Sequence, residues 1–206
     1  ALFLLCLAGH SVAGWKVYND EQRQHGEAEA TYGEFLRTSE FGETVFENWE
    51  SEFLQMGMLI VLTIFLFHRG SAESKPIGEE TEQDKDPREF ANKKNAPWPV
   101  RRGGVALVLY ENSLVILFAI LFIASFTLHA ITGAAEYSQE QLTHGGSPVG
   151  ALEYITTSRF WFESFQNWQS EFLAVLAIVL LSIWLRQWGS PESKPVHAAH
   201  SDTGSS

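Results

Sequence analysis

The chain has 206 residues, a formal net charge of −11 and one cysteine, Cys6. An acidic excess of that size excludes a nucleic-acid surface, which needs a basic face. A lone thiol excludes an internal disulfide frame and the thiolate-rich metal centres.

Mean hydropathy is near zero, but the average hides four apolar blocks with charge between them. The first block, Ala1 to Ala13, is half the length of its later counterpart, Val105 to Ile131. That counterpart is about as long as a bilayer crossing, so the chain is expected to begin inside a span. A signal peptide ending at Ser11-Val12-Ala13-Gly14 is the competing reading. The internal copy opposes it. The second block, Phe53 to Phe67, is led by Phe46 and Trp49. From Gly78 to Asn95 the chain is charged and aperiodic, which reads as a solvated linker. Pro97-Trp98-Pro99 and Arg101-Arg102 read as an interface anchor before the third block, which carries Glu111-Asn112 near its start. The fourth block, Phe172 to Leu185, is led by Phe160, Trp161, Phe162, Phe165 and Trp168, rings suited to a membrane boundary. The tail from Val196 to Ser206 is small and polar, a composition expected to be disordered.

The blocks form two copies. Asn48-Trp49-Glu50-Ser51-Glu52-Phe53-Leu54 returns as Asn167-Trp168-Gln169-Ser170-Glu171-Phe172-Leu173, an offset of 167 − 48 = 119. At the same offset, without a gap, His10 meets His129, Gly14 meets Gly133 and Tyr18 meets Tyr137. Glu21-Gln22 meets Glu140-Gln141, His25-Gly26 meets His144-Gly145, and Thr38-Ser39 meets Thr157-Ser158. Gly70-Ser71 and Glu73-Ser74-Lys75-Pro76 match Gly189-Ser190 and Glu192-Ser193-Lys194-Pro195. An ungapped match of that extent marks a tandem duplication.

The expected fold is therefore an all-α integral membrane protein with four transmembrane helices, arranged as two tandem pseudo-symmetric hairpins. Its parts are a first repeat over 1–76, a charged linker over 77–100, a second repeat over 101–195 and a tail over 196–206. Lys and Arg gather in and around the linker, over Arg69 to Ala106, which holds Arg69, Lys75, Lys85, Arg88, Lys93, Lys94, Arg101 and Arg102. The positive-inside rule puts linker and C-terminus in the cytoplasm and the acidic repeat loops outside. Two spans per repeat make the copies parallel, related by an axis along the membrane normal.

Positions shared by both copies nominate the candidate residues. His10, Tyr18, Glu21, Gln22 and His25 fall on one helical face at 100° per residue, and the helix is expected to run on to Gly26. His129, Tyr137, Glu140, Gln141 and His144 form the second stripe. Each stripe reads either as packing against its own hairpin partner, with hydrogen bonds between helices, or as a polar site between the repeats. His10 and His129 are the cofactor candidates: two facing imidazoles hold haem or, with Glu52 and Glu171, a divalent metal. No HxxxH or HExxH spacing is present, so no metal site is assigned and no cofactor is expected. Asn48, Trp49, Ser51, Glu52 and their copies Asn167, Trp168, Ser170 and Glu171 read as a structural motif. Ser51 and Ser170 are expected to cap a first helical turn, followed by an acid suited to the helix N-terminus. Trp49 and Trp168 are expected at the membrane boundary. Lys75 and Lys194 end the repeats beside a helix stop, with a phosphate or lipid headgroup as the alternative reading.

Three stretches together resemble one family: Asn-Trp-x-Ser-Glu-Phe-Leu, the Gly-Ser-x-Glu-Ser-Lys ending, and Gly-Trp-x-Val-Tyr-Asn-x-Glu-Gln at Gly14 to Gln22. It is an uncharacterised family of small bacterial inner-membrane proteins, a domain of unknown function. The resemblance spans the chain and implies a bacterial inner-membrane setting, but no activity. No nucleophile–base pair or phosphate loop is present, so a non-enzymatic role is expected, as an accessory or assembly partner in a membrane complex. Lipids and other membrane proteins are then the partners. The alternatives are a small carrier or channel with its pathway between the repeats, and a haem or metal carrier using the paired histidines.

Overall fold

The computed structural model describes residues 1–78 and 80–204; residues 79, 205 and 206, in the expected linker and tail, lie outside the described residues. All regular structure among the described residues is helical. The elements are α1 (Leu2–His25), α2 (Tyr32–Phe35), α3 (Ser39–Phe65), α4 (Trp98–Arg102), α5 (Gly104–Glu111), α6 (Ser113–Thr143), α7 (Ala151–Tyr154) and α8 (Ser158–Leu181). Two 3₁₀ turns, Glu82–Asp84 and Pro87–Phe90, lie in the linker.

Caps explain the boundaries. α1 stops where Gly26 turns left-handed, at φ 74°, and hands its N–H back to the helix. The starts of α3 and α8 are held by Thr38 and Thr157, whose hydroxyls accept from the N–H of Phe41 and Phe160 at 3.2 and 3.3 Å. The capping expected of Ser51 and Ser170 is thereby corrected. Both serines lie in helix interiors, and Ser51 donates back to the Asn48 carbonyl at 2.8 Å.

The four-span reading is also corrected. Among the described residues one helix, α6, is long and apolar enough to cross a membrane, with a window of mean hydropathy 2.6. The others fail for a physical reason. α1 follows its apolar start with Lys16, Asp20, Glu21 and Arg23, and α3 carries Glu43, Glu47, Glu50 and Glu52 in its first half. α8 ends at Leu181, short of the block edge at Leu185, which leaves too few apolar residues after Glu171 for the ~20 that a bilayer requires. The third block is itself divided. Asn112, at φ −107° and ψ 5°, separates α5 from α6, and its side-chain amide donates to the Val108 carbonyl.

Two compact units result, and each draws on both repeats. The first comprises Ala1–Ser51 and Phe122–Asn167, the second Glu52–Leu121 and Trp168–Ser206. The core of the first unit is Ala130, Ala134, Tyr154 and Phe160, with Phe126, Tyr137 and Val149 against it. Polar clamps recur in it at the repeat offset. Asn19 brackets the backbone of Ala30 at 2.8 and 2.9 Å, as Ser138 brackets Val149 at 2.9 and 3.1 Å.

In the second unit the repeat endings are local turns. The hydroxyls of Ser74 and Ser193 accept from the N–H of His68 and Gln187 at 3.0 and 2.9 Å. Lys75 pairs with Asp84, and Lys194 donates to the carbonyls of Ala199, His200 and Asp202. Both ammonium groups are thus engaged within the chain. Residues 196–204 are held as turns, with the Gly204 N–H on the Ser71 carbonyl at 2.9 Å.

Candidate functional site

The first unit buries an imidazole among carboxylates. His129, on α6, is fully buried. Its Nδ1 lies 2.8 Å from a Glu50 oxygen and its Nε2 lies 3.4 Å from Oε2 of Glu163. The ring of Phe160 stacks on the imidazole at 4.7 Å between centroids, with 24° between planes. This packing fixes the ring and leaves its two nitrogens to the acids.

α3 supplies the acids in a row. Glu43, Glu47 and Glu50 are spaced i, i+4 and i+7, which puts them on one helical face. Glu50 is fully buried and Glu43 nearly so. α8 supplies Glu163 one turn after Arg159, whose guanidinium takes the outer oxygen, Oε1. The inner oxygen, Oε2, accepts from the Tyr154 hydroxyl, which also lies 3.2 Å from Oε1 of Glu43. Glu47 accepts from the Asn167 amide at 3.1 Å. Arg159 also reaches Glu140 at 3.8 Å, where both side chains are half exposed.

Gly133 makes room for this arrangement. A Cβ there would lie 2.6 Å from the Tyr154 ring and 2.8 Å from Oε1 of Glu43. The recurring glycine of the stripe is therefore a close-approach position rather than a turn.

Environment separates the two carboxyls flanking Tyr154. Burial, reinforced by the charge of Glu163, pushes Glu43 up to about 7. Burial also opposes ionisation of Glu163, but hydrogen bonds from His129, Tyr154 and Arg159 outweigh it and hold this carboxyl below its ordinary range. Burial raises Glu47 and, together with the neighbouring carboxylates, Tyr154. One carboxyl that holds its proton more tightly beside one that ionises more readily gives two neighbouring acids separate roles.

The candidates from the sequence are dispersed. His10 is exposed; its Nε2 lies 3.4 Å from the Thr44 hydroxyl and its ring leans on Phe41. The two imidazoles therefore have separate partners and do not face a common ligand. Glu52, Trp168, Ser170 and Glu171 belong to the second unit, whereas both histidines belong to the first. Tyr18 accepts from Gln22 at 2.9 Å, while Glu21 and His25 are exposed. Tyr137 packs on Tyr154, Gln141 is half-buried, and His144 is exposed on the Glu140 carbonyl at 2.8 Å. Trp49 meets the rings of Phe3 and Phe46, and Asn48 donates to the Thr44 carbonyl. Of the nominated set, His129 alone lies in the buried cluster itself, with Asn167 and Glu140 at its margin. Glu43, Glu47, Glu50, Tyr154 and Glu163 were missed because a filter for residues shared between copies discards them. Their mates are Phe162, Gln166, Gln169, Phe35 and Thr44. The signal lay in the carboxylate face of α3.

Fold and site together define the class: an all-helical chain with one long apolar helix and a buried imidazole–carboxylate centre. The chain belongs to the family described as a domain of unknown function, DUF6766, whose model matches residues 1–205. Neither a curated protein nor a solved structure matches it.

Proposed function

We propose that this protein is a membrane-anchored cation-binding protein of the carrier or receptor type, whose ligand site is the buried acid cluster around His129. One observation carries the reading. Four carboxylates, from Glu43, Glu47, Glu50 and Glu163, gather around one buried imidazole, with the Arg159 guanidinium at the edge. Burying charge costs several kcal/mol per ion unless it is compensated. With every carboxyl ionised, the four acids would outnumber the Arg159 guanidinium, and a cation that displaced the proton favoured on Glu43 by burial would offset that excess. The binding role needs no nucleophile.

Attachment to a membrane is supported by α6. Only 17% of its apolar window is buried, unlike the core helix of a globular protein, and the helix lies far from the N-terminus, unlike a leader. Leu114, Leu117, Ile120 and Ile123 are exposed along it. On its N-terminal side Arg102 stacks on Trp98 at 5.1 Å, an arrangement suited to a headgroup boundary. An accessory role beside another membrane protein is the second reading, favoured by Leu2, Phe3, Leu4 and Leu5, all more than half exposed at the start of α1.

Thermal unfolding of the detergent-purified chain against Zn²⁺, Mn²⁺, Mg²⁺, Ca²⁺ and Na⁺ tests the function. A cation at a hundredfold its dissociation constant adds about 2.7 kcal/mol of stability. At least one cation is expected to raise Tm in the native chain but not in a Glu43→Gln, Glu163→Gln double variant. Equal shifts in both proteins would refute the reading. Recovery of the chain in the soluble fraction, with no binding to liposomes, would refute the anchor.

A further inference from the structure

We propose that Glu43, His129 and Glu163 hold a single first-row divalent transition-metal ion of the Zn²⁺, Mn²⁺ or Fe²⁺ class, with Glu50 as the positioning residue for His129. The assignment rests on the cation-binding reading above and names the class of cation.

The geometry points there in three steps. One ligand atom from each of the three residues lies within 4.8 Å of the other two, in a buried setting. His129 Nε2 and Glu163 Oε2, 3.4 Å apart, already match the edge of a tetrahedron with bonds of about 2.1 Å. Glu43 supplies the third ligand atom, within 4.8 Å of the other two, and its approach depends on Gly133, where a Cβ would lie 2.8 Å from Oε1 of Glu43.

Glu50 then accounts for the other imidazole nitrogen. Its carboxylate lies 2.8 Å from Nδ1, so with a metal bound the ring would donate Nδ1–H to Glu50 and give up the Nε2 hydrogen bond to Glu163, freeing the Nε2 lone pair for the metal. A carboxylate behind a metal-binding histidine fixes its tautomer and raises its basicity. This acid sits outside the three-ligand group yet on the far nitrogen of the same ring, where such a partner belongs. Arg159 holds the outer oxygen of Glu163 and leaves the inner one for the metal.

Donor chemistry selects the cation. One imidazole nitrogen with carboxylate oxygens is a borderline set, suited to Zn²⁺, Mn²⁺ and Fe²⁺, whereas Ca²⁺ and Mg²⁺ prefer oxygen alone. Two ionised carboxylates and a neutral imidazole would balance a dication. Haem is disfavoured, because His10 is exposed beside Thr44 and the His129 ring is covered by Phe160.

The test uses the full chain in detergent, stripped with a chelator and titrated with Zn²⁺ by calorimetry and with Co²⁺ by visible absorption. One metal per chain is expected, with a Co²⁺ d–d band. His129→Ala and Glu163→Gln should each weaken Zn²⁺ binding at least ~100-fold, and His10→Ala should leave it unchanged. Glu50→Gln should weaken binding about 10- to 100-fold and shift the Co²⁺ band, a change that a merely structural role would not produce. Circular dichroism identifies variants that have not folded, and Glu163→Gln, the least disruptive substitution, carries the test if His129→Ala fails to fold. Ca²⁺ or Mg²⁺ binding that ignores His129, without Zn²⁺ or Co²⁺ binding, would overturn the transition-metal assignment and leave the cation-binding reading intact. Binding of no cation would overturn both.

Discussion

The neighbourhoods of His10 and His129 share their ring contacts and differ in their chemistry. In the first, His10 leans on Phe41 at 5.6 Å, Phe41 meets Phe35 at 5.2 Å and Phe35 meets Tyr18 at 5.5 Å. In the second, His129 meets Phe160 at 4.7 Å, Phe160 meets Tyr154 at 5.6 Å and Tyr154 meets Tyr137 at 5.7 Å. Each pair has its counterpart at the repeat offset. Yet His10 is exposed and faces a threonine, while His129 is buried and faces two glutamates. The ring contacts thus occur twice at the same sequence offset, and the acid–imidazole chemistry once. Identity between the copies marks scaffold here, and difference between them marks the site.

The two neighbourhoods part most sharply at the acids of α3. Truncating Glu50 removes a buried partner from His129, and breaking a buried pair costs about 3–5 kcal/mol. Its mate Gln169 is exposed, so Gln169→Ala should stay within about 0.5 kcal/mol, as surface substitutions do. Chemical denaturation of Glu50→Ala and Gln169→Ala measures the contrast. Equal losses would mean that the chemistry is not confined to one neighbourhood.

The paired glycines give the next largest effect. Alanine at position 133 would place Cβ 2.6 Å from the Tyr154 ring, but alanine at position 14 would stop 3.0 Å from Phe35. Overpacking costs about 1–3 kcal/mol. Gly133→Ala belongs at the top of that range and should also weaken cation binding through Glu43. Gly14→Ala belongs at the bottom. Unfolding midpoints in the reverse order would contradict the close approach at Gly133.

Much of the scaffold was legible in the sequence. The stop of α1 at Gly26 followed from the helical stripe, whereas the helix starts lie at Thr38 and Thr157 and not at the Ser51 and Ser170 expected to cap them. The spans were not legible, because joining apolar blocks to aromatic leads hides the cost of Glu43, Glu47 and Glu50. Those acids lie in the same helix as Phe53 to Phe65 and shorten what a membrane could take up. The site escaped because neither His129–Glu50 nor Tyr154–Glu163 is a local motif. Glu50 is 79 positions from His129, and only packing joins them. One local cue was present, the three glutamates that share one face of α3 ahead of its apolar half.

The smallest effect concerns Glu40, in the first turn of α3. Partial burial, then the charges of Glu136 on α6 and Glu21 on α1, push its carboxyl up to about 7 from an ordinary 4.5. Tyr18 on α1 responds to the same group, its phenol raised by burial and by Glu40. The folded chain therefore keeps a proton on Glu40 that the unfolded chain releases between about pH 4.5 and 7. Stability from this group is complete below the lower value and is lost as pH rises through the upper one. Glu40 is half-buried, so solvent screening reduces the contribution to about 1 kcal/mol or less. Glu40→Gln should leave stability nearly unchanged near pH 5 and raise it slightly near pH 8, flattening the profile between them. Urea denaturation of both chains across that interval reads the difference. Parallel profiles for the two chains would show that the carboxyl titrates in the folded state as it does in the unfolded one, and that Glu136 and Glu21 do not act on it.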